Sequence, residues 1–433
     1  MPVRLFVGTA RCDITPPVGA RLLGYEPGRM SEGIRDPLDL SAVAFQYGEQ
    51  KAVLISMALV EVNTSISNAL HQAAASACGV DTEHVIVCAT HTHTAPNTYD
   101  ARFADAFERC YVSDTLIPAA ADAARGAMSH LVRAEMAIGT TKSFIGVNRC
   151  QIGEDGVSRL GQNPWGVFDP MLTVLAFRDQ NRRGIVNIAH YGAHCTAAGA
   201  SDFISRDWAG IMVDRLEEVS GTPTAFVNGA EGNVGPRLTN GQTTGDIKMM
   251  EELGGQAASD CVRAFRNANA FHDADLHIIT GDIALPVRPI PEMSVLDAEI
   301  DRLEKAGKNS SMQCARLRAQ RALLASGQSA PETIAFRQTL LAVGNAVFIP
   351  FPTEPFSEIA LRLREHSPFA HTLCISNANG SIFSYLPTRE AIARGGFEVD
   401  CFLYESYDSN VCAPTDDADD RIIRANLALL RAL

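Results

Sequence analysis

Two histidines lie in the run Cys88-Ala89-Thr90-His91-Thr92-His93-Thr94-Ala95-Pro96, at the polar exit of an apolar stretch, residues 84–89. An apolar run of this length reads as a buried strand. In extended chain, residues i and i+2 leave the backbone on the same side. His91 and His93 can therefore face one cavity, as two metal ligands or as a ligand with an acid/base partner. A bare His-x-His pair is more often structural than metal-binding. A second pair, His190 and His194, follows another apolar run, 184–189, and makes a pattern of the first.

Other strand exits deliver polar residues in the same manner. The loop carrying His190, Tyr191 and His194 leads to Ser205-Arg206-Asp207 at a helix start. A glycine-rich loop runs from Asn228 through Glu231 and Asn233 to Gly235 and Arg237. Glu354 stands between prolines after the apolar run 346–350, and Asn377-Ala378-Asn379-Gly380 precedes Tyr385. Loops beyond strand ends are where α/β folds collect chemistry, because the sheet fixes their origins while their side chains converge. Imidazoles with one carboxylate form a catalytic zinc set that leaves a position open for water. Each candidate also has a plainer reading. Glu354 suits either a metal or the first turn of the following helix. Asn233 and its glycines form an oxyanion cradle or an ordinary turn. Asp207 either caps its own helix or orients His194. Arg206 meets a substrate carboxylate or a structural partner. Cys195, beside His194, reads as a small apolar filler.

The elements that must position these residues alternate between strand and helix. Strand-like runs occupy 51–60, 84–89, 171–177, 184–189 and 224–227, and helical stretches occupy 65–77, 113–131 and 207–218. Residues 275–290 alternate like strands with one exposed face. Charged helical segments at 294–305 and 312–324, joined by a turn, predict an antiparallel hairpin on the surface. Strands return at 339–349 and 372–376, flanking a helix at 356–363, and a helix closes the chain at 419–433. No short internal repeat is visible. The pattern predicts an α/β fold, a mixed sheet core covered by helices with the site at strand-end loops. Residues 1–433 read as a single catalytic domain with a helical insert at about 294–325.

Composition limits the function classes. The 433 residues carry a formal charge of −13, which argues against nucleic acid and against a polybasic membrane-surface protein. No apolar stretch is long enough to span a bilayer, and the first residues run straight into strand-like sequence without a signal peptide. Eleven cysteines without Cys-x-x-Cys spacing read as reduced thiols. The expectation is a cytoplasmic protein without stable membrane association; homo-oligomerisation stays open.

Several motifs in order resemble the N-terminal catalytic domain of the neutral/alkaline non-lysosomal ceramidases, a family of zinc-dependent amidases. They are Val7-Gly8-Thr9-Ala10-Arg11-Cys12-Asp13-Ile14-Thr15-Pro16, Gly33-Ile34-Arg35-Asp36-Pro37 and Thr90-His91-Thr92-His93. His194 with Ser205-Arg206-Asp207 and Gly210, the loop from Asn228 to Arg237, Glu354, Tyr385-Leu386-Pro387-Thr388 and Gly395-Gly396-Phe397-Glu398 complete the series. The resemblance implies one Zn2+ held by His91, His194, Glu354 and Tyr385. It also makes His93 a transition-state-stabilising neighbour and His190 structural. Gly235 stands where the family carries a serine implicated in amide cleavage. The chain is also expected to lack the family's secretory signal and C-terminal immunoglobulin-like domain. A smaller soluble substrate than ceramide is therefore expected.

These readings combine into a zinc-dependent hydrolase that cleaves an amide bond in a small soluble metabolite with metal-activated water. His93, Tyr385 and Asp207 are the catalytic candidates. Arg206, Asn233, Gly235 and Arg237 are the candidates for substrate recognition. The rival readings are a metal-dependent esterase or lactonase, and a non-catalytic metabolite- or sugar-binding protein.

Overall fold

A computed structural model describes residues 3–25, 28–98, 106–405 and 412–432. The architecture is mixed α/β, with several sheets surrounded by helices. Three of those sheets repeat one topology. In the first, Leu5–Asp13 pairs antiparallel with Asp39–Tyr47, which pairs antiparallel with Gln50–Met57. The chain then crosses through helix Thr64–Cys78 to the parallel strand Val85–Ala89. The second uses Glu135–Lys142, Met171–Arg178 and Gly184–Tyr191, then helix Asp207–Ser220 and the parallel strand Thr224–Asn228. The third uses Leu276–Pro286, Thr333–Val343 and Ala346–Pro350, then helix Ser357–His366 and the parallel strand His371–Ile375. A further helix lies against the first strand of each unit: Ile117–Ser129, Ile247–Asn267 and Ala418–Leu430.

One apolar cluster joins the inner faces of all three sheets, with Phe45 and Leu54 from the first, Phe177 and Ile188 from the second, and Phe348 and Ile375 from the third. Each outer face forms a separate cluster with its helices. Burial on both faces explains why inner strands such as Gln50–Met57 are continuous apolar runs rather than alternating ones. It also places the carboxyl ends of the parallel strands together, where loops from all three units meet.

The connection between the first and second strands is elaborated differently in each unit. It is residues 14–38 in the first and contains the hairpin Gly146–Ile152/Ser158–Asn163 in the second. In the third it contains the expected pair of helices, Met293–Lys305 and Met312–Ala325, held by Ile300, Leu303 and Cys314.

Most elements read from the sequence are present, but the threefold repeat was not visible there. Strands Asp39–Tyr47, Glu135–Lys142, Gly146–Ile152 and Ser158–Asn163 and the 21-residue helix Ile247–Asn267 are additions to that reading. Gly254 and Gly255 obscure the helical pattern of Ile247–Asn267. Gly254 is there because a Cβ would stand 2.7 Å from Ile211 of the facing helix. The helix expected at 113–131 starts earlier, as Ala106–Cys110, and passes through a π-helical turn, Tyr111–Leu116. Pro118, in the first turn of Ile117–Ser129, lacks the N–H that an unbroken α-ladder would need. Residue 433, at the end of the expected last helix, lies outside the described residues. No helix among the described residues is long and apolar enough to cross a membrane.

Candidate metal centre

His91 lies two residues beyond strand Val85–Ala89 and adopts a left-handed backbone, φ 68°. This turn aims its ring at the junction of the three units. Its Nδ1 lies 3.0 Å from the Val60 carbonyl. His93 Nδ1 lies 2.9 Å from the Gly24 carbonyl, and His194 Nδ1 lies 3.0 and 3.1 Å from the carbonyls of Glu231 and Val234. A carbonyl can only accept, so each Nδ1 carries the proton and each Nε2 presents a lone pair.

Those lone pairs converge. The Nε2 atoms of His91 and His93 are 3.1 Å apart, and Glu354 Oε2 stands 3.0 Å from His194 Nε2 and 3.5 Å from His91 Nε2. The contacts to Glu354 have the spacing of ion pairs, but the rings are neutral. Burial holds His91 and His194 well below the usual imidazole range, and burial with the neighbouring His194 lowers His93 to about 3. Both His194 Nε2 and Glu354 Oε2 are buried without a hydrogen-bond partner. Acceptors facing acceptors in a water-poor site are costly unless a cation lies between them. The ligand atoms of His91, His93 and His194 lie within 4.8 Å of one another, as do those of His91, Glu231 and Glu354. The donor set therefore fits a metal ion.

Tyr385 neighbours Glu354 in a short parallel bridge, and its ring stacks on His194 with centroids 6.3 Å apart and planes 17° from parallel. Its phenol oxygen accepts from Arg149 at 3.0 Å, while Arg149 Nε donates to Glu398 at 2.8 Å. Burial, then the Glu354 charge, pushes the Tyr385 hydroxyl well above its ordinary range, so it stays protonated.

The sequence reading missed four residues here. Arg149, which no sequence motif singled out, is buried with its guanidinium bonded to Glu398 and Tyr385. Glu231 is fully buried beside Glu354, and burial followed by that neighbouring charge raises its carboxyl well above the carboxylate range. Asn377 donates to Glu231 Oε1 at 2.7 Å and lies 3.0 Å from His91 Nδ1. Asn228 donates to the carbonyls of Thr90 and Ala193, both at 3.0 Å, tying the loop of His91 to the loop of His194. The loops holding Glu231, Asn377 and Asn228 were legible as polar strand exits; their side-chain partners were not.

Other candidates are placed elsewhere. Asp207 accepts from the N–H groups of Ala197, Ala198 and Trp208, so the carbonyls of Glu231 and Val234 orient His194 instead. Arg206 pairs with Asp36 and Asp214. Asn233 accepts from Ser357 N and donates to Glu358, fixing the start of helix Ser357–His366. Arg237 donates to the Phe144 carbonyl. Gly235 pairs with Val147 in a short strand, and a Cβ there would stand 2.6 Å from the Thr243 side chain. Thr243 thus fills the space that any side chain at 235 would need. His190 is a core histidine bonded to the Cys374 carbonyl at 2.7 Å. Cys195 is a buried thiol raised by desolvation, as the filler reading expects.

No family model matches the sequence, and no curated protein matches it. Solved structures do. Neutral ceramidase from Pseudomonas aeruginosa superimposes with a TM-score of 0.73 at 17% identity, over 100% of this chain and 75% of that one. A ceramidase complexed with C2 gives 0.70 at 16% identity, over 99% of this chain and 75% of the other. The chain thus shares its fold with neutral ceramidase while retaining little of its sequence.

Proposed function

We propose that this protein is a distant member of the neutral ceramidase family and a zinc-dependent hydrolase of an amide bond in a small soluble molecule. The reading rests above all on three neutral imidazoles whose Nε2 lone pairs converge with an unpartnered Glu354 oxygen. His91, His194, Glu354 and Tyr385 would hold the ion, and a set of two imidazoles with one carboxylate and a phenol suits zinc. Donors from all three units at one centre favour reading the whole chain as a single catalytic domain.

When bound, zinc would supply Lewis acidity, which lowers the pKa of water and polarises a carbonyl. The chain supplies the rest. Arg149 donates to the Tyr385 oxygen, and the protonated phenol beside Glu354 is the group that would turn toward negative charge developing on a substrate oxygen. His93 is the least enclosed of the three imidazoles and sits edge-on to Tyr25, with ring centroids 5.3 Å apart. This puts it on the side from which a substrate would approach. Arg206, Asn233 and Arg237 are engaged elsewhere, and Arg29, which donates to the carbonyls of Ser201, Leu23 and His93, braces the His93 loop rather than offering a free cation. Gly235 contributes no hydroxyl.

Elemental analysis of the purified protein should find about one zinc per chain, and His91→Ala should lose zinc and amide hydrolysis together. Zinc and turnover unchanged in His91→Ala would sink the assignment. Amide and ester substrates with matched acyl groups would separate an amidase from an esterase.

A further inference from the structure

We infer that Glu231 is a second acidic donor of the metal centre, so that a cation there is met by two carboxylates. The inference rests on the metal-centre reading above and goes beyond it. Its first support is the threefold repeat. The loop after the last strand of the first unit delivers His91, the equivalent loop of the second delivers Glu231, and that of the third delivers Asn377. These three side chains meet: Asn377 Nδ2 is 3.0 Å from His91 Nδ1 and 2.7 Å from Glu231 Oε1. The second support is the other Glu231 oxygen. Oε2 is buried without a hydrogen-bond partner, and a Glu231 oxygen lies within 4.8 Å of ligand atoms of His91 and Glu354.

Charge gives the third support. Glu231, Glu354 and Glu398 bring three carboxylates into the buried group, whereas Arg149 is the basic side chain bonded into it, through Glu398 and Tyr385. Ionised, the group carries two uncompensated negative charges, which one divalent cation would balance. Glu231 thus favours a dication over a single proton or a monovalent ion.

Glu231→Gln isolates the charge. The glutamine oxygen still accepts from Asn377, and the backbone carbonyl of residue 231 still holds His194. Protein stripped by a chelator would be titrated with zinc in competition with a chromophoric chelator. Zinc affinity should fall about 10- to 100-fold in Glu231→Gln. Equal affinity in both proteins would overturn the inference and leave the zinc reading intact. No zinc uptake by the wild type would overturn both. Should Glu231→Gln not fold, a crystal structure of the zinc-soaked wild type decides. Glu231 bonded to the metal or to its water supports the inference, and Glu231 turned away overturns it.

Discussion

Replacing Asn228 with alanine should damage the centre without replacing any of His91, His194, Glu354 or Tyr385. Asn228 is fully buried, and its amide makes three hydrogen bonds: Nδ2 to the carbonyls of Thr90 and Ala193, and Oδ1 from Ala193 N–H at 3.2 Å. Alanine strands two acceptors and one donor where water does not reach. Each buried unsatisfied group costs about 1–3 kcal/mol, and partial relaxation should bring the sum to about 3–5 kcal/mol. With an unfolding entropy of about 2.1 cal/mol/K per residue over 433 residues, near 0.9 kcal/mol/K, the melting temperature should fall by about 3–5 °C. Thermal and urea unfolding of chelated protein measure this cost. Zinc titration should also show weaker binding, because Asn228 ties the loop of His91 to that of His194. A loss below about 1 kcal/mol with unaltered zinc affinity would refute the claim that this amide pins the loops together.

The helix Ile247–Asn267 provides an internally controlled comparison. Gly254→Ala should destabilise by about 1–3 kcal/mol through overpacking on Ile211, whereas Gly255→Ala, with nothing within 4 Å of its Cβ, should stabilise by about 0.5–1 kcal/mol. Equal effects in urea unfolding would refute the close approach of the two helices. Burial lowers His190 to about 4, against an unfolded value near 6.5. The unfolded chain therefore binds the extra proton first, and the stability due to neutral His190, full above pH 6.5, should decline as pH falls toward 4. His190→Gln should flatten that part of the stability profile, and an unchanged slope would count against a buried neutral imidazole.

Much of the site was written locally. His91, His93, His194 and Glu354 stand at the exits of apolar runs, whereas Tyr385 was suggested only by the family resemblance; the distinction between buried strands and polar loops survives in a single sequence because burial selects residue type position by position. The helical hairpin was legible for the same reason, since its apolar positions recur at helical spacing. The threefold repeat was not, because it resides in strand order and pairing, which dissimilar sequences satisfy equally well.

Tertiary structure alone decided what each polar side chain does. Asp207, Arg206 and Asn233 looked available for chemistry until the fold gave their hydrogen bonds to N–H groups, carboxylates and a helix start. Glu231 was one residue of a polar loop and Arg149 went unremarked, and only the fold buries both beside Glu354 and Tyr385. Asn377 meets its two partners across 286 and 146 residues of chain. Local sequence determines which residues arrive at a strand's end, but a buried polar group's partner is fixed by how separate sheets pack, and no local pattern records that.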